Sequence, residues 1–501
     1  MFLLIQGRLL SPSRANGVFL SSLSSQKTEK YNKSYTVYNC DGMHDDTEAL
    51  NNLLQYSHDI HISNRSGICH IKHTIHIINN DTSIKGDDSS STKIEISSPS
   101  EPIIEVKEGL KNFSIKGISI SRSTFVKDSQ VCGLRIGNNQ IFADLDDIIS
   151  SGSGNGFCLG SIAFGRLNNA ISTGNYGNGF FITNKDSTQP AQWSITNSLS
   201  QTNDNYGFYV ESGNNPLILL PWINIETFAN GHGGVRMTGN PYGGYIVSAT
   251  IEAGVFSSDG GDEISLDTYA GYVKIGSGTF IEEAGQHPTG RNFHFLPSHK
   301  GHGIVATTNV ADIQIVDTLI SHNSEEGIMN GSYHTLLSAS TLYGNGVTNE
   351  NLCGYYGENI ELGNSTIISA TRSGNLNANL LSGHQGGGLC FATGEGVSIS
   401  GSDVTFNRKN NIYFDHNPNQ AKIMNVIGYN NISEGELKIS PGEQSIIIYH
   451  HLTTKPRFIN LTPLTEINGG WYIDKVTTLS FRVNLDKVDN KIIHMLWQAS
   501  L

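Results

Sequence analysis

The sequence predicts an all-β protein folded as a right-handed parallel β-helix, and a pattern repeated between residues 145 and 415 is the main reason. Each copy has two small or polar residues followed by an apolar anchor, and successive copies mostly lie 23 to 32 residues apart. A repeat of this length that contains short strands is typical of a solenoid. The anchors are Phe157, Phe180, Phe208, Val235, Ile264, Ile328, Ile360, Leu389 and Ile412, with one more copy at either Phe293 or Ile304.

Alternation after each anchor indicates what the repeating unit is. The residue after the anchor varies in polarity and the next one is apolar again, which is the period of a strand with one buried face. A second apolar residue precedes many anchors by 13 positions, for example Ile195 before Phe208 and Ile315 before Ile328. Short strands, polar turns and the lack of a helical period favour a β-helix of roughly ten coils over a sandwich or propeller with irregular spacing.

The position just before the anchor is Gly or Asn in every copy except one, which predicts a turn that needs a positive φ. The exception is Glu263, which precedes Ile264. Positions where a residue breaks a local structural rule are often functional. We therefore take Glu263 as a candidate site residue.

Three segments follow from these patterns. Residues 1–35 are Ser-rich and predict a flexible lead-in, and their short apolar start does not make a good secretory signal. Residues 36–440 are assigned to the β-helix, with a short capping helix after Asp45 and Asp46, since acidic residues suit a helix N-terminus. Residues 441–501 alternate as strands between turns and predict a small β-sandwich-like C-terminal module.

Composition excludes several classes of protein. The formal net charge is -13 and no basic run exists, which argues against nucleic acid and anionic membranes as partners. No apolar run is long enough to predict a membrane span. The six cysteines are scattered without CxxC spacing, so we expect buried free thiols rather than disulfides or a zinc site.

The segment Asp41, Gly42, Asp45, Asp46 and Thr47 resembles the N-terminal signature of the pectate lyase superfamily. In that family the segment opens the helix that caps the β-helix, and its aspartates are structural. The resemblance covers about residues 36–440. It implies a protein that binds or cleaves polysaccharides, as pectate lyases, polygalacturonases, rhamnogalacturonases and phage tailspike depolymerases do.

Register suggests where chemistry could occur. Equivalent residues of neighbouring coils lie ~5 Å apart, and those two coils apart lie ~10 Å apart. These distances bracket the carboxyl separations of retaining and inverting glycosidases. The outward positions around Ile264 predict one polar patch, and the alternative is a solvated acidic surface. The patch would contain Tyr209, Glu211, Arg236, Asp262, Glu263 and Asp267.

The triplet Gly301-His302-Gly303 adds a histidine to this patch. Polygalacturonases have an Asp-Asp pair before one anchor and a Gly-His-Gly triplet one coil later, and Asp262-Glu263 followed by this triplet resembles that order. The family's Asn-Thr-Asp and Arg-x-Lys elements are missing. The resemblance therefore does not transfer a substrate or a mechanism.

The leading hypothesis is a glycoside hydrolase that acts on a uronate-containing or bacterial exopolysaccharide. Asp262 or Glu263 would protonate the glycosidic oxygen, and Asp267 or Glu211 would activate water or stabilise the transition state. His302 would tune the acid.

Arg236 and Tyr209 would hold a uronate or another sugar. No cofactor is expected, and no residue is assigned to a metal.

Two alternatives stay open. A polysaccharide lyase would use a basic residue near Ca²⁺ held by carboxylates, but basic residues are sparse on this face. A non-catalytic carbohydrate-binding or tailspike-like rod is the other alternative, and it brings the expectation of a homotrimer. The expected location is extracellular, or on a virion in the tailspike case.

Overall fold

The computed structural model describes residues 35–500 with internal gaps. The gaps are 64–67, 125, 299, 348–351, 358–359, 363–366, 370–386, 394–395, 405–406, 408–410, 417–419, 425, 427–428, 430–431, 451, 453–454 and 478–479. Except for its last position, the lead-in predicted for residues 1–35 lies outside the described residues.

The predicted right-handed parallel β-helix is confirmed. Two parallel sheets run along the rod, and each coil passes from sheet A to sheet B and back. The strands of sheet B are Ile75–Ile77, Ile104–Val106, Cys132–Ile136, Asn155–Leu159, Phe180–Thr183, Tyr206–Glu211, Gly233–Thr238, Ile264–Leu266, Ile304–Ala306, Ile328–Asn330, Cys353–Gly357, Gly387–Thr393 and Ile412–His416.

Sheet A holds the longer strands, which cover the remaining sides of each coil. Its strands are Tyr35–Asn39, Asp59–Ser63, Cys69–Ile71, Thr82–Lys85, Lys93–Ile96, Asn112–Arg122, Gln140–Ser151, Ile162–Thr173, Ala191–Gln201, Leu217–Phe228, Ile246–Val247, Thr250–Glu252, Val255–Ser257, Val273–Glu282, Asp312–Ser321, His334–Ser338, Thr341–Tyr343, Ile360–Leu362, Ile367–Ser369, Ser398–Ser400 and Lys422–Met424.

Single residues in the left-handed region bend the long strands of sheet A around the rod. Asp147, Asn169 and Asn197 occupy equivalent bends with φ of 54°, 50° and 51°. Asp and Asn tolerate this region better than most residues because their short side chains can bond locally. The coil therefore turns within a strand, without a separate loop.

The glycines before the anchors do not have the positive φ that the sequence predicts. They are needed because the backbone passes close to an inward hydroxyl of the next coil. A Cβ on Gly156 would lie 2.0 Å from Ser172 Oγ, and one on Gly179 would lie 2.0 Å from Ser200 Oγ. The expectation of a positive φ was wrong, and close packing explains the glycines instead.

The anchors of sheet B stack into one continuous core along the rod. The assignment of Ile360 as an anchor was wrong, because Ile360 lies in sheet A and Tyr355 pairs with both Ile328 and Leu389 in its place. The rings of Phe157, Phe180 and Phe208 lie parallel, with centroids 4.7 and 4.5 Å apart. Ile304 pairs with Ile264 and is therefore the next anchor. Phe293 belongs instead to a 3₁₀ turn at Arg291–Phe293. The sequence left these two positions open, and the register decides for Ile304.

Helix α1, Thr47–Tyr56, caps the first coils with Leu50 and Leu54 buried. Asp46 is its N-cap residue, but its carboxylate makes no capping bond. It accepts hydrogen bonds from Tyr38 Oη at 2.6 Å and from the backbone N–H of His70 at 3.1 Å. These bonds tie the helix to the β-helix, which is a structural role. Among the described residues, no helix has the length and apolarity needed to cross a membrane.

All six cysteines form disulfides, so the expectation of free thiols was wrong. The pairs are Cys40–Cys69, Cys132–Cys158 and Cys353–Cys390, separated by 29, 26 and 37 residues. These separations are about one coil, so each pair lies side by side on neighbouring coils with Cα atoms 5.0 to 6.1 Å apart. That distance suits a disulfide. A search for local CxxC spacing cannot detect pairs one coil apart.

The C-terminal strands form two antiparallel sheets that share one small core, as predicted for a β-sandwich-like module. The module includes Ile432–Ile439, which the sequence analysis assigned to the β-helix range 36–440. Phe481 of one sheet packs edge-on against Trp497 of the other, with ring centroids 5.6 Å apart. Sheet C contains Ile432–Ile439, Phe458–Pro463 and Ile493–Ser500, and sheet D contains Ser445–Tyr449, Trp471–Asp474 and Ser480–Leu485.

The disulfides predict measurable stabilisation. Replacing Cys132 and Cys158 together with Ser should lower the free energy of unfolding by about 2–4 kcal/mol, because the unfolded chain regains the entropy of a closed loop. Chemical denaturation of the non-reduced proteins measures this difference. Thiol titration of the denatured, non-reduced wild type serves as the control and should find no free thiols. Six free thiols would contradict the pairing.

Candidate functional site

The outer face of sheet B brings polar and aromatic side chains of successive coils into rows. Phe181, Tyr209, Arg236 and Ser265 occupy the same register position on four neighbouring strands. This position points outward because the anchors on either side of it are buried. The structure therefore places Tyr209 and Arg236 side by side, as the sequence predicts.

Arg236 is the centre of a first group, the Arg236 cluster, which also contains Tyr206, Tyr209 and Asp267. Its Nε donates to Asp267 Oδ2 at 2.7 Å, and its Nη1 donates to Tyr206 Oη at 3.0 Å. The guanidinium carbon lies 5.4 and 5.8 Å from the ring centroids of Tyr206 and Tyr209. Because Asp267 is committed to this ion pair, it is a poor candidate for a catalytic base and a good one for positioning Arg236.

Aromatic rings continue from this cluster across the face as an aromatic strip. The strip consists of Phe181, Tyr209, Tyr206, His232 and Phe295, in that order. Centroid distances between successive rings are 5.6, 5.9, 6.1 and 6.1 Å. These rings are half-buried or exposed. A strip of this kind can stack on the apolar faces of sugar rings.

Phe295 reaches the strip from the long excursion between Ala284 and Gly303, and a buried carboxylate fixes that excursion. Arg291 Nε donates to Asp204 Oδ2 at 2.8 Å, and its backbone N–H donates to Asp204 Oδ1 at 2.9 Å. The Arg291 guanidinium also lies over the ring of Tyr176 at 5.1 Å. Asp204 is only 4% exposed. The excursion is therefore a fixed wall of the face.

A second group, the His302 cluster, contains Asp262, His302, Glu325 and Glu326. Asp262, His302 and Glu326 each lie two residues before an anchor, on three consecutive coils. Glu325 precedes Glu326 in the chain. The cluster lies on the coils that follow Arg236, so both groups share one face.

His302 bridges the carboxylates of its cluster. Its Nδ1 lies 2.9 Å from Asp262 Oδ1, and its Nε2 lies 3.2 Å from both Glu325 Oε2 and Glu326 Oε2. The backbone N–H of His302 also donates to Asp262 Oδ1 at 3.0 Å. The predicted contact between His302 and Asp262 is present, and the two glutamates extend it.

The electrostatics of the cluster keep His302 charged. Burial lowers the pKa of His302, but hydrogen bonds and charge from Asp262 and Glu326 outweigh burial and raise the pKa to about 10. At neutral pH the imidazole is therefore protonated on both nitrogens, and each N–H faces a carboxylate. It can act as a proton donor and cannot act as a base without first losing a proton.

Metal binding at this cluster would compete with that proton. The ligand atoms of His302, Glu325 and Glu326 lie within 4.8 Å of one another, which would suit a divalent cation. A metal needs the unprotonated Nε2, whereas the cluster favours the imidazolium. We assign no metal to it.

Glu263 does not lie on the outer face, and that expectation was wrong. Its side chain is fully buried. Inside this corner a ladder of asparagines joins the coils: the backbone N–H of Asn175 donates to Asn203 Oδ1, and that of Asn203 donates to Asn230 Oδ1, both at 3.1 Å. The N–H of Asn230 donates to Asp259 Oδ1 at 2.6 Å. Asp259 thus fills a ladder position.

Glu263 provides the acceptor that the next residue of this ladder would otherwise provide. The ladder position of the following coil is Ala284, which has no amide oxygen to offer. Glu263 Oε1 instead accepts the backbone N–H of Asp259 at 3.0 Å. Gly234 occupies the position of Glu263 one coil earlier, and a Cβ there would lie 2.8 Å from Asp259 Oδ2, the ladder residue of the next coil. At Glu263 the ladder residue of the next coil is the smaller Ala284, which leaves room for the glutamate side chain. The rule-breaking residue is structural.

Burial raises the pKa of Glu263 well above its usual range, and the charge of Asp259 raises it further. Burial also raises the pKa of Asp259. The pair therefore favours a proton on Glu263 at neutral pH.

Glu211 lies at the edge of the Arg236 cluster, where burial and the charge of Glu211 raise the pKa of Tyr209. The strand position of Glu211 matches Thr183 and Thr238 of the neighbouring coils, and it lines a pocket of about 400 Å³ together with Arg135 and Lys185. The structure thus gathers Tyr209, Arg236 and Asp267 at one centre and Asp262 and His302 at another.

Three residues of these centres were missed by the sequence reasoning: Tyr206, Glu325 and Glu326. Tyr206 and Glu326 occupy the same position as Asp262 and His302, two residues before the anchor. The sequence signal for Tyr206 and Glu326 is therefore the position two residues before the anchor, whereas the exception at Glu263 lies directly before it.

No model of a protein family matches the chain, and no curated protein matches it. Solved structures do resemble it. The A-module of the mannuronan C-5 epimerase AlgE6 of Azotobacter vinelandii matches with a TM-score of 0.50 and 12% identity, over 77% of this chain and 96% of that module. Tailspike protein 3 of bacteriophage CBA120 matches with a TM-score of 0.49 and 11% identity, over 79% of this chain and 62% of the tailspike.

A third match is the N-terminal fragment of gene product 12 of bacteriophage phi29. Its TM-score is 0.47 at 15% identity, over 72% of this chain and 68% of the fragment. At these identities the likeness concerns the fold alone. The match to the AlgE6 A-module shows that the chain and that module share a fold.

Glu263 provides a prediction about pH and stability. Because the pKa of Glu263 is raised in the folded state, Glu263 stabilises the fold fully below its unfolded pKa of about 4.3. This stabilisation is lost as the pH rises through the folded-state pKa. Glu263→Gln keeps the acceptor for Asp259 N–H and removes the titration. The free energy of unfolding of the Glu263→Gln protein, measured by denaturation from pH 4 to pH 8, should fall less with pH than that of the wild type.

Glu263→Ala is the matched control, because it removes the titration and the acceptor together. It should be destabilised by about 1–3 kcal/mol even at pH 4, since the buried Asp259 N–H loses its partner. Parallel pH profiles for the wild type and Glu263→Gln would contradict this account.

Proposed function

We propose that the protein degrades an extracellular polysaccharide by glycoside hydrolysis, using the His302 cluster as its catalytic centre. One observation carries the proposal: Asp262 and Glu326 contact opposite nitrogens of the same imidazole on an open face. This arrangement offers a proton and two carboxylates at one place, beside rings that can hold a sugar chain.

The contacts with His302 set an upper limit on the separation of the two carboxylates. Asp262 Oδ1 and Glu326 Oε2 lie 2.9 and 3.2 Å from the two nitrogens of His302. The width of one imidazole then sets them at most roughly 8 Å apart, a limit that admits both the ~5 Å of retaining and part of the ~6.5–9.5 Å of inverting glycosidases, so we propose hydrolysis without assigning its stereochemistry.

The roles follow from where the proton is held. The protonated His302 donates from Nδ1 to Asp262 Oδ1 at 2.9 Å, and this pair would deliver the proton to the leaving glycosidic oxygen. Glu326, on the other side of the ring, would activate water. Glu325 would keep the imidazole charged and oriented.

The neighbouring groups support a substrate with acidic sugars. The aromatic strip would stack on sugar rings, and the Arg236 cluster would receive a carboxylate through the guanidinium that Asp267 orients. Arg236 is about one-third exposed, so it is accessible to such a group. Tyr209 provides both a ring and a hydroxyl at this place.

The proposed function includes an extracellular location. Three disulfides favour folding in an oxidising environment such as the periplasm or the outside of a cell. This supports an extracellular protein more than a tailspike assembled in a reducing cytoplasm. A homotrimer stays a proposal that the native mass in solution would test.

A degradation panel tests the proposed reaction. Purified protein would be incubated with pectin, polygalacturonate, rhamnogalacturonan and bacterial exopolysaccharides, with and without Ca²⁺. Hydrolysis predicts new reducing ends without absorbance from unsaturated uronates. Absorbance together with reducing ends would mean a lyase instead, and neither signal on any substrate would favour a non-catalytic binding rod.

Amide substitutions test the residue roles. Asp262→Asn and Glu326→Gln should each lower kcat at least about 100-fold, because general acid and base catalysis typically contributes this much. Reducing-end release measures the loss. Asp312→Asn, which changes an exposed carboxylate on sheet A, should keep full activity. Wild-type rates in the Asp262 and Glu326 variants would contradict the site, even if the panel had found hydrolysis.

A further inference from the structure

The outer face of sheet C in the C-terminal module forms a second concave surface. It holds a pocket of about 470 Å³, which falls within the size range of small-molecule sites. The side chains that line it come from all three strands of the sheet: Glu434, Glu436, Asn460, Thr462, Leu496 and Gln498.

Strand register arranges these side chains in two rows. Gln498 of the central strand pairs with Glu434 on one side and with Asn460 on the other. Leu496, two residues away, pairs with Glu436 and Thr462 in the same way. Residues two apart on a strand share a face, so both rows line one trough.

The trough combines the groups that a sugar ring needs. Leu496 is 47% exposed and provides an apolar floor for the C–H face of a ring. Carboxylates accept hydrogen bonds from hydroxyl groups, and the amides of Asn460 and Gln498 both donate and accept them. Phe458, 71% exposed and on the same face as Asn460, ends the trough with a ring for stacking.

The charges at the trough select against acidic ligands. Glu434 and Glu436 both face it, and the nearby cations are already engaged. His494 Nδ1 lies 2.7 Å and Lys438 Nζ 3.8 Å from Glu436 Oε1. Gln498 Nε2 donates to Glu434 Oε2 at 3.3 Å, which holds that pair in place. A sugar carboxylate would meet two acidic groups and no unpaired cation among these residues.

We infer that the C-terminal module binds a neutral saccharide through this trough. The ligand class differs from the acidic chain proposed for the β-helix face, and the site shares no residue with it. The module would then hold the protein on a glycan while the β-helix acts on another part of the same surface.

Calorimetric titration of the full chain tests this inference. The probes are neutral tetrasaccharides of glucose, mannose and galactose, with trigalacturonate as the acidic comparison. At least one neutral probe should bind, and Asn460→Ala and Gln498→Ala should each weaken that binding at least about tenfold through the lost hydrogen bonds. Tyr449→Ala, on the exposed face of sheet D, is the matched control and should bind like the wild type.

Thermal unfolding of each variant checks that the module still folds. Absence of binding by every neutral probe at millimolar concentration would overturn the inference. So would equal binding by Asn460→Ala and the wild type, or trigalacturonate binding that Asn460→Ala abolishes. Asp262→Asn protein should keep the neutral binding, so failure of the proposed hydrolysis leaves this test independent.

Discussion

Parallel pairing between successive coils is the constraint on which the rest of the structure depends. It places residues of equal register beside each other all along the rod, so one position in the repeat becomes one row in space. The phenylalanine stack and the asparagine ladder are products of this rule. The disulfides also join neighbouring coils, but out of register, since Cys132 pairs with Asn155 and Cys158 with Arg135. Because the backbone fixes the rows, a few unusual residues on successive coils can form a cluster such as that of His302.

The same rule separates structural exceptions from functional ones. Glu263 looks exceptional in the sequence, but Ala284 on the next coil explains it. Ala284 cannot accept the backbone N–H of Asp259, and Glu263 accepts it instead. His302 does not replace a missing residue of a buried network in this way. Its ring bridges three carboxylates near the surface, at 13% exposure. Exceptions that complete a buried network are structural, and those that gather charge on an open face are candidates for chemistry.

Much of the fold could be predicted because anchors repeat with a strand period. The register of Tyr209 with Arg236 followed directly from counting after each anchor. The disulfides could not be predicted by local spacing, because partners lie one coil apart. Burial was equally inaccessible, since whether Glu263 points inward depends on the size of Ala284, 21 positions later in the chain. Glu326 could have been predicted, because it lies two residues before Ile328, an anchor that the sequence already identifies.

The proposed activity requires a sugar chain to bind across the aromatic strip with its scissile bond at His302. A crystal structure of Asp262→Asn protein with an oligosaccharide cleaved by the wild type tests this most directly. We expect sugar rings stacked on Tyr209 and Tyr206, and a glycosidic oxygen within hydrogen-bonding distance of residue 262 or His302. A chain bound on sheet A, or one that leaves the His302 cluster in contact with solvent, would contradict it.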